Sequence, residues 1–259
     1  MAKYFMADMS WIEFQNALDE NTVLVIPLGS IELEGPHLPL GVDTIAAEGV
    51  AQGLAGAQGV IIAPCLPLGY SKWFQPYAGT VSLEHDTLVR VLMDYCRSLA
   101  SSGVKRVVFL NSHKGNNSAV EVAAHSLIKK SGLKVGMLNV WKLANDLTAG
   151  KGLIDEGGFT HAGEIMTSLM LALKPEAVSF DQARPGMVKP LPGSALKPLN
   201  STGDTAFRGV VQTVYQDIRQ ITDDGTLGDP SGATVEKGRA VLKLIVDYAK
   251  DFLQEFRRI

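Results

Sequence analysis

The sequence predicts a three-layer α/β/α fold, with a mostly parallel central sheet covered by helices on both faces. Two observations carry that prediction. Short apolar runs of the buried-strand type alternate with segments whose apolar residues recur at helical spacing, through roughly the first 175 residues. The polar residues of greatest chemical potential fall after those runs or in long loops, as expected at the carboxyl edge of a parallel sheet.

The elements follow in order. Residues 22–28 (TVLVIPL) form an almost continuous apolar run, as expected of a strand covered on both faces. Residues 44–54 read as a helix and 59–63 (GVIIA) as a second strand. Residues 86–100 place Leu88, Val91, Leu92, Tyr95 and Leu99 at helical spacing, and Ser101-Ser102-Gly103 ends that helix. A third strand at 105–110 (KRVVFL), a helix at 118–130 and a fourth strand at 134–140 (KVGMLNV) complete the alternation. Pro, Gly and Ser dominate residues 184–204, read as a long surface excursion bordering an active site or a subunit contact, not a linker. The whole chain, 1–259, is therefore read as one domain. A last helix at 234–256 is expected to turn Val241, Leu242, Leu244, Ile245, Tyr248 and Phe252 to the core.

Composition narrows the partners. With 24 basic against 27 acidic residues and no basic stripe, nucleic acid and anionic lipid are not expected. No apolar run approaches the roughly 20 residues of a membrane span. The opening MAKYFMADMSWIEF lacks a signal-peptide layout, and Cys65 and Cys96 sit in apolar stretches, so the expected location is cytoplasmic. A chain of this length can bury most of its apolar surface without disulfides or a structural metal.

Three clusters carry chemistry. The first is residues 29–39 (GSIELEGPHLP), with Asp43 beyond, after the first strand. The second is residues 111–117 (NSHKGNN), after the third strand, and the third is residues 160–164 (THAGE), opening a helix. Carboxylates with imidazoles bind borderline divalent ions such as Zn²⁺ or Mn²⁺. Glu32 and Glu34 alternate by two, so on extended backbone they point the same way and could share one ion. Each group also has a plainer reading. The carboxylates could cap helices or line a solvated loop, and His113 could satisfy backbone at a strand end. His161 and Glu164, three apart, could simply pair with each other. His85 and His125 are read as structural. What favours a site is coincidence: three of five histidines lie in clusters that also hold Gly, Asn or carboxylate partners.

These segments resemble the creatininase family. PLGSIELEGPHLPLGVDT is similar to its P-x-G-S-x-E-Q-H-G-P-H-L-P-x-x-x-D-T, NSHKGNN to N-G-H-G-G-N, and HAGEIMTSLML to H-A-G-E-x-E-T-S-L-M-L. Gly228-Asp229-Pro230 with Ala233-Thr234 and Glu236-Lys237-Gly238 resembles G-D-P…A-T-x-E-K-G. The resemblance implies an α/β/α layered fold, a divalent-metal centre and hydrolysis of a small-molecule substrate. Members open cyclic amides, remove a formyl group from a pyrimidine intermediate, cleave a peptide-derived cofactor precursor or open a cyclic keto-inositol. They commonly assemble as homo-oligomers, in particular hexamers. By resemblance, Glu32, Asp43 and His113 match metal ligands, Asp43 at the position that bridges two ions. His161 matches the histidine that moves protons, and Trp141 matches an aromatic that covers a flat substrate; Glu164 is expected to orient His161. Trp73 and Tyr77 are expected to add apolar walls, Asn111 and Asn116 to hold substrate or shape their loop, and His37 to lie among the substrate-binding groups.

The chain departs from the family pattern where its second metal binds. Glu34 stands where a histidine is usual, and Met166 where a carboxylate is usual. Gly115 replaces an acid found in some members, and the expected P-G-T is Ala78-Gly79-Thr80, with Trp73 and Phe74 in the stretch that usually holds a histidine. Either Glu34 still reaches a second ion, giving a harder site that favours Mn²⁺ or Mg²⁺, or one ion is held by Glu32, Asp43 and His113 alone. The thioether of Met166, a poor ligand for hard ions, favours one firmly held ion, Zn or Mn. The expected reaction is hydrolysis of an amide C–N bond by a metal-activated water with His161 as proton shuttle. The alternatives are C–C hydrolysis of a cyclic keto-polyol, of the 3-dehydro-scyllo-inosose hydrolase type, and a relative that only binds its ligand.

Overall fold

The computed structural model describes residues 3–155 and 158–259. Strands β1 (Val23–Leu28), β2 (Val60–Ile62), β3 (Arg106–Asn111) and β4 (Lys134–Asn139) form one parallel sheet in the order β2-β1-β3-β4. The central pair is buried along its whole length, as its unbroken apolar runs require. Pro27 lies inside β1 without breaking the ladder. Its carbonyl accepts from the Leu66 amide, so its missing N–H faces the side that β2 has already left at Ile62.

The described helices are α1 (Trp11–Ala17), α2 (Val42–Leu54), α3 (His85–Ser101), α4 (Asn117–Ser131), α5 (Val140–Thr148), α6 (Glu164–Leu173), α7 (Ile218–Ile221) and α8 (Val235–Phe256). Strand alternation sorts the core into two layers. Val23, Val25, Val108 and Leu110 meet α2, α5, α6 and α8 on one face. Leu24, Ile26, Val107 and Phe109 meet α3 and α4 on the other, with Phe14 of α1 packed at the margin. The three-layer α/β/α expectation holds, and the expected strands and helices appear with ends shifted by a residue or two. The short helices α1, α5 and α7 were not anticipated.

Two expectations need correction. Tyr248 of α8 is exposed, and the buried stripe runs through Val241, Ile245, Ala249, Leu253 and Phe256. Gly238 sets that rotation, because a Cβ there would overlap the Ser168 carbonyl of α6, and the two helices close on each other at this point. The excursion expected at 184–204 is not wholly irregular. It enters a small antiparallel sheet of β5 (Lys197–Pro198), β6 (Asp204–Phe207) and β7 (Val210–Thr213). Arg208 and Gly209, both at positive φ, make the two-residue turn between β6 and β7. No described helix is long and apolar enough to cross a membrane.

Candidate active site

Each site residue leaves the carboxyl edge of the sheet or the start of a helix beside it. The loop after β1 carries Glu32 and Glu34, and the Glu32 amide is pinned to the Leu40 carbonyl at 2.9 Å. Asp43 occupies the first turn of α2, where the helix dipole favours a carboxylate. His113 follows β3 by two residues, and Trp141 is the second residue of α5, directly after β4. His161 precedes α6, next to Ala162, which holds a left-handed φ of 55° while completely buried. Non-glycine residues persist there only where surroundings over-determine them, which marks this turn as a fixed part of the site.

The side chains converge in two triads. Glu32, Asp43 and His113 form one, and Glu32, Glu34 and His161 the other, the donor atoms of each lying within 4.8 Å of one another. His113 Nδ1 is 2.9 Å from Asp43 Oδ2 and 3.4 Å from Glu32 Oε1. His161 Nε2 is 3.2 Å from Glu34 Oε2 and 3.6 Å from Glu32 Oε1. Glu32 therefore belongs to both triads, whereas the resemblance had put Asp43 in the shared position. The expectation that Glu32 and Glu34 point the same way is met.

Both imidazoles are oriented alike. His113 donates through Nε2 to the Tyr70 carbonyl at 2.9 Å, and His161 through Nδ1 to the Gly225 carbonyl at 2.7 Å. A carbonyl can only accept, so each ring carries an N–H on that nitrogen, and its opposite nitrogen, Nδ1 of His113 and Nε2 of His161, faces the carboxylates. Phe74 stacks on the His161 ring, centroids 4.7 Å apart. Each oxygen of Asp43 accepts one hydrogen bond from the protein, which fixes its orientation: Oδ1 accepts from Trp141 Nε1 at 2.7 Å and Oδ2 from Ser30 Oγ at 2.7 Å.

Three carboxylates, Glu32, Glu34 and Asp43, lie at 1–2% exposure with no Lys or Arg as ion partner among the described residues. Ionising such groups unpaired costs several kcal/mol each, of the order of the Born penalty after relaxation. Burial, with Asp43 and Glu32 adding their charge, holds the Glu34 carboxyl well above the usual carboxylate range. Burial would lower His113, but Glu32 and then Asp43 outweigh it and push the imidazole up to about 9. Both shifts arise from buried negative charge with no Lys or Arg ion partner among the described residues. Glu32 Oε2, both oxygens of Glu34 and His161 Nε2 are buried with no hydrogen-bond partner among the described residues. Orphaned acceptors of this kind, on residues whose ligand atoms lie within 4.8 Å of one another, fit a divalent cation.

The cluster floors a cavity of about 460 Å³. Its walls include Trp73, Phe74, Trp141 and Phe159, the last two stacked at 5.4 Å between centroids. Polar lining comes from Asn117, Asn139 and Asn145, and residues 199–202 close one side, so the 184–204 excursion does border the cavity.

Other expected site residues stand elsewhere. Asn111 and Asn116 are completely buried behind the loop: Asn111 donates to the His113 carbonyl, and Asn116 bonds the Gly29 carbonyl and the Tyr70 amide. They shape the loop, and Asn117 and Asn139 face the cavity instead. Tyr77 donates its hydroxyl to the Thr222 carbonyl and packs with Ile218 and Ile221, outside the lining. His37, 1% exposed, pairs with Thr167 Oγ1 at 2.9 Å, and burial lowers it to about 4. Glu164 pairs with Lys237, while the orienting bond to His161 comes from the Gly225 carbonyl. Met166 lines the cavity, and its sulfur accepts the Ala162 amide at 3.2 Å, bracing the turn that carries His161. Phe74 and Phe159 were not anticipated as site residues; the sequence signals were the place of Phe74 beside Trp73, in the stretch that usually holds a histidine, and the nearness of Phe159 to His161.

Comparison with known proteins places this geometry. Residues 7–253 match the creatininase (creatinine amidohydrolase) family. The chain is 33% identical over 234 residues to a mycofactocin precursor peptide peptidase of Mycobacterium tuberculosis, covering 86% of this chain and 81% of the relative. It is 27% identical to the creatinine amidohydrolase of Pseudomonas putida over 97% of this chain and 96% of that one. A 3-dehydro-scyllo-inosose hydrolase of Thermotoga maritima is 24% identical over 97% and 83%. Among solved structures, a creatininase in its Mn form superposes with a TM-score of 0.79, and a mutant creatininase of Zn-Zn type with 0.80, both at 26% identity over 98% of each chain.

Proposed function

Because the chain belongs to the creatininase family of hydrolases, we propose that it hydrolyses a C–N bond in a small, compact amide, with a divalent ion held by Glu32, Asp43 and His113. The observation that supports this reading is the buried carboxylate–imidazole cluster with unpartnered donor atoms at the floor of a cavity of about 460 Å³. When bound, a divalent ion supplies Lewis acidity, lowering the pKa of water and polarising a carbonyl. The protein's own part is positioning. Trp141 holds Asp43 through its indole N–H and offers with Phe159 a stacked apolar wall for a flat group. The Asn117, Asn139 and Asn145 amides supply donors and acceptors along one side, and Trp73 and Phe74 cover another. A cavity of this size suits a small molecule or the end of a peptide.

The asparagine-rich wall also favours a second reading, a polyhydroxylated ring cleaved at a C–C bond, since amides pair well with hydroxyls. One panel separates the two. Purified protein loaded with Mn²⁺ or Zn²⁺ is offered creatinine, a formamidopyrimidine, a short peptide and a cyclic keto-inositol, with products followed by mass spectrometry. The expected result is metal-dependent cleavage of at least one C–N substrate, lost with chelator and in Asp43→Ala. Turnover of the keto-inositol alone selects the second reading, and failure to retain any divalent ion defeats both.

Assembly into a homo-oligomer belongs to the same reading. It is supported by the exposed apolar side chains of Phe207, Val210, Val211 and Tyr215 at and after the β6–β7 hairpin.

A further inference from the structure

We propose that the substrate is a small amide carrying a carboxylate, and that Lys114, Lys142 and Asn117 hold that carboxylate at the mouth of the cavity. The inference rests on the reading that an amide C–N bond is cleaved at the carboxylate–imidazole floor.

Charge in the cavity is graded by depth. The acids among its described lining residues, Glu32, Glu34 and Asp43, lie at 1–2% exposure. Its lysines are open to solvent, with 58% of the Lys114 side chain and 71% of the Lys142 side chain exposed. Negative charge is therefore confined to the floor and positive charge to the mouth. The N-G-H-G-G-N pattern has glycine where this chain has Lys114. That residue follows His113 directly, so the loop that delivers an imidazole to the floor also delivers an ammonium to the mouth.

Neither ammonium is used up by the protein. Lys114 Nζ donates to Thr202 Oγ1 at 2.7 Å and lies 3.6 Å from Asp204 Oδ2, and Lys142 pairs with Asp146 one turn along α5. Asp204 and Asp146 stand outside the lining, and ion pairs this exposed contribute little. Each ammonium has three N–H donors, which leaves some for a ligand.

Asn117 adds a neutral donor whose orientation the backbone fixes. Asn111 accepts the His113 amide through Oδ1 and donates to the His113 carbonyl through Nδ2, so its nitrogen meets Asn117 Oδ1, at 2.8 Å. Asn139 accepts the Lys142 amide through Oδ1, so it too offers nitrogen to Asn117 Oδ1, at 3.2 Å. Two donors occupy the Asn117 oxygen, and only its N–H groups are left for the cavity it lines. Asn117 and Lys142 also stand in the first turns of α4 and α5, whose positive ends favour negative charge. The mouth thus suits an anionic acceptor, and the floor suits an amide carbonyl. An acylated amino acid, or the carboxyl end of a short peptide, carries both.

The test is calorimetric titration of Mn²⁺-loaded protein with two matched pairs of probes. One pair is N-acetylglycine and N-acetylglycinamide; the other is N-acetyl-trialanine and its C-terminal amide. Wild-type protein is expected to bind the carboxylate of at least one pair about tenfold more tightly than its amide, the yield of two exposed charge pairs. Added salt should shrink that advantage. Lys114→Gln with Lys142→Gln, both at exposed positions, should bring it within about threefold of parity. Lys129→Gln with Lys130→Gln makes the same change of charge at the exposed far end of α4 and should leave it intact. Preference within the first pair alone identifies an acylated amino acid, and within the second alone a peptide end; either sustains the proposal. Equal affinities within both pairs, or no binding of any probe, overturn it. So does an advantage that survives the Lys114, Lys142 double variant, because the carboxylate then lies elsewhere, or one lost equally in the control. Mass spectrometry of the same mixtures separates the two readings. C–N cleavage without charge preference leaves the amide reading standing and sinks the carboxylate site, whereas lysine-dependent binding with no C–N cleavage does the reverse.

Discussion

The hydrogen bond from Trp141 Nε1 to Asp43 Oδ1, 2.7 Å between two buried groups, gives the sharpest quantitative test of the site. Trp141→Phe deletes the donor and keeps most of the aromatic surface stacked on Phe159. A hydrogen bond to a charged acceptor contributes about 1.5–3 kcal/mol, and Asp43 at 2% exposure has little water to replace it. The metal-free variant should therefore lose about 2–3 kcal/mol of unfolding free energy in urea. Metal affinity should fall about 10–100-fold, the usual cost of removing a group that orients a ligand. The assay is competitive titration of Mn²⁺ or Zn²⁺ against a chelating dye, with urea melts in chelator alongside. Phe159→Leu is the control, since it disturbs the stack and leaves the hydrogen bond. Metal affinity of Trp141→Phe within about threefold of wild type would refute the claim that this bond holds Asp43 as a ligand. So would an equal loss in Phe159→Leu, because packing would then explain both.

Two further outcomes follow from neighbouring groups. His37 is held to about 4 by burial, below its ordinary 6.5, so the unfolded chain binds its proton first as pH falls. Its contribution is intact above pH 6.5 and is lost progressively between about 6.5 and 4; between pH 7.5 and 5, wild type should lose about 1–2 kcal/mol more than His37→Gln, and equal losses would exclude His37 as a source of acid sensitivity. At Gly115, a Cβ would overlap both the Tyr70 carbonyl and His113 Nε2, the two partners whose hydrogen bond orients that ring. Gly115→Ala should destabilise the fold by about 1–3 kcal/mol and weaken metal binding in the same titration, and wild-type affinity would show that the loop relaxes freely.

The parts of the fold legible in the sequence were those with a long, repeated signal. The runs of β1 and β3 are buried over six residues each, so no alternating polar face obscured them. Helices α1, α5 and α7 escaped because seven, nine and four residues carry too few apolar positions to show a period. At α5 the cue was present but local: the Asn139 side chain accepts from the Lys142 amide, capping a helix whose first residue, Val140, reads as the end of the fourth strand. The choice between Asn111 or Asn116 and Asn117 as a cavity residue was not legible at all. It depends on a single tight turn at Lys114–Asn116 that rotates the loop.

The site shows the same division between what spacing reveals and what packing decides. Glu32, Asp43, His113 and His161 announce themselves because each sits in a polar segment near a strand or helix end. Read position by position, Glu34 and Met166 look like losses from the family pattern, a histidine and a carboxylate each replaced. In space the two changes compensate. The usual pattern draws carboxylates from positions 32, 43 and 166 and imidazoles from positions 34 and 113. Here the third carboxylate is Glu34 and the second imidazole is His161, so three carboxylates and two imidazoles still converge. The charge available to cations is unchanged, and only the elements that supply it differ. A cluster that had merely decayed would have no reason to conserve that count or to keep Glu34 and His161 buried face to face. Each would be free to accept a neutral, better-packed replacement, because an uncompensated buried carboxylate is among the costliest groups a core can keep.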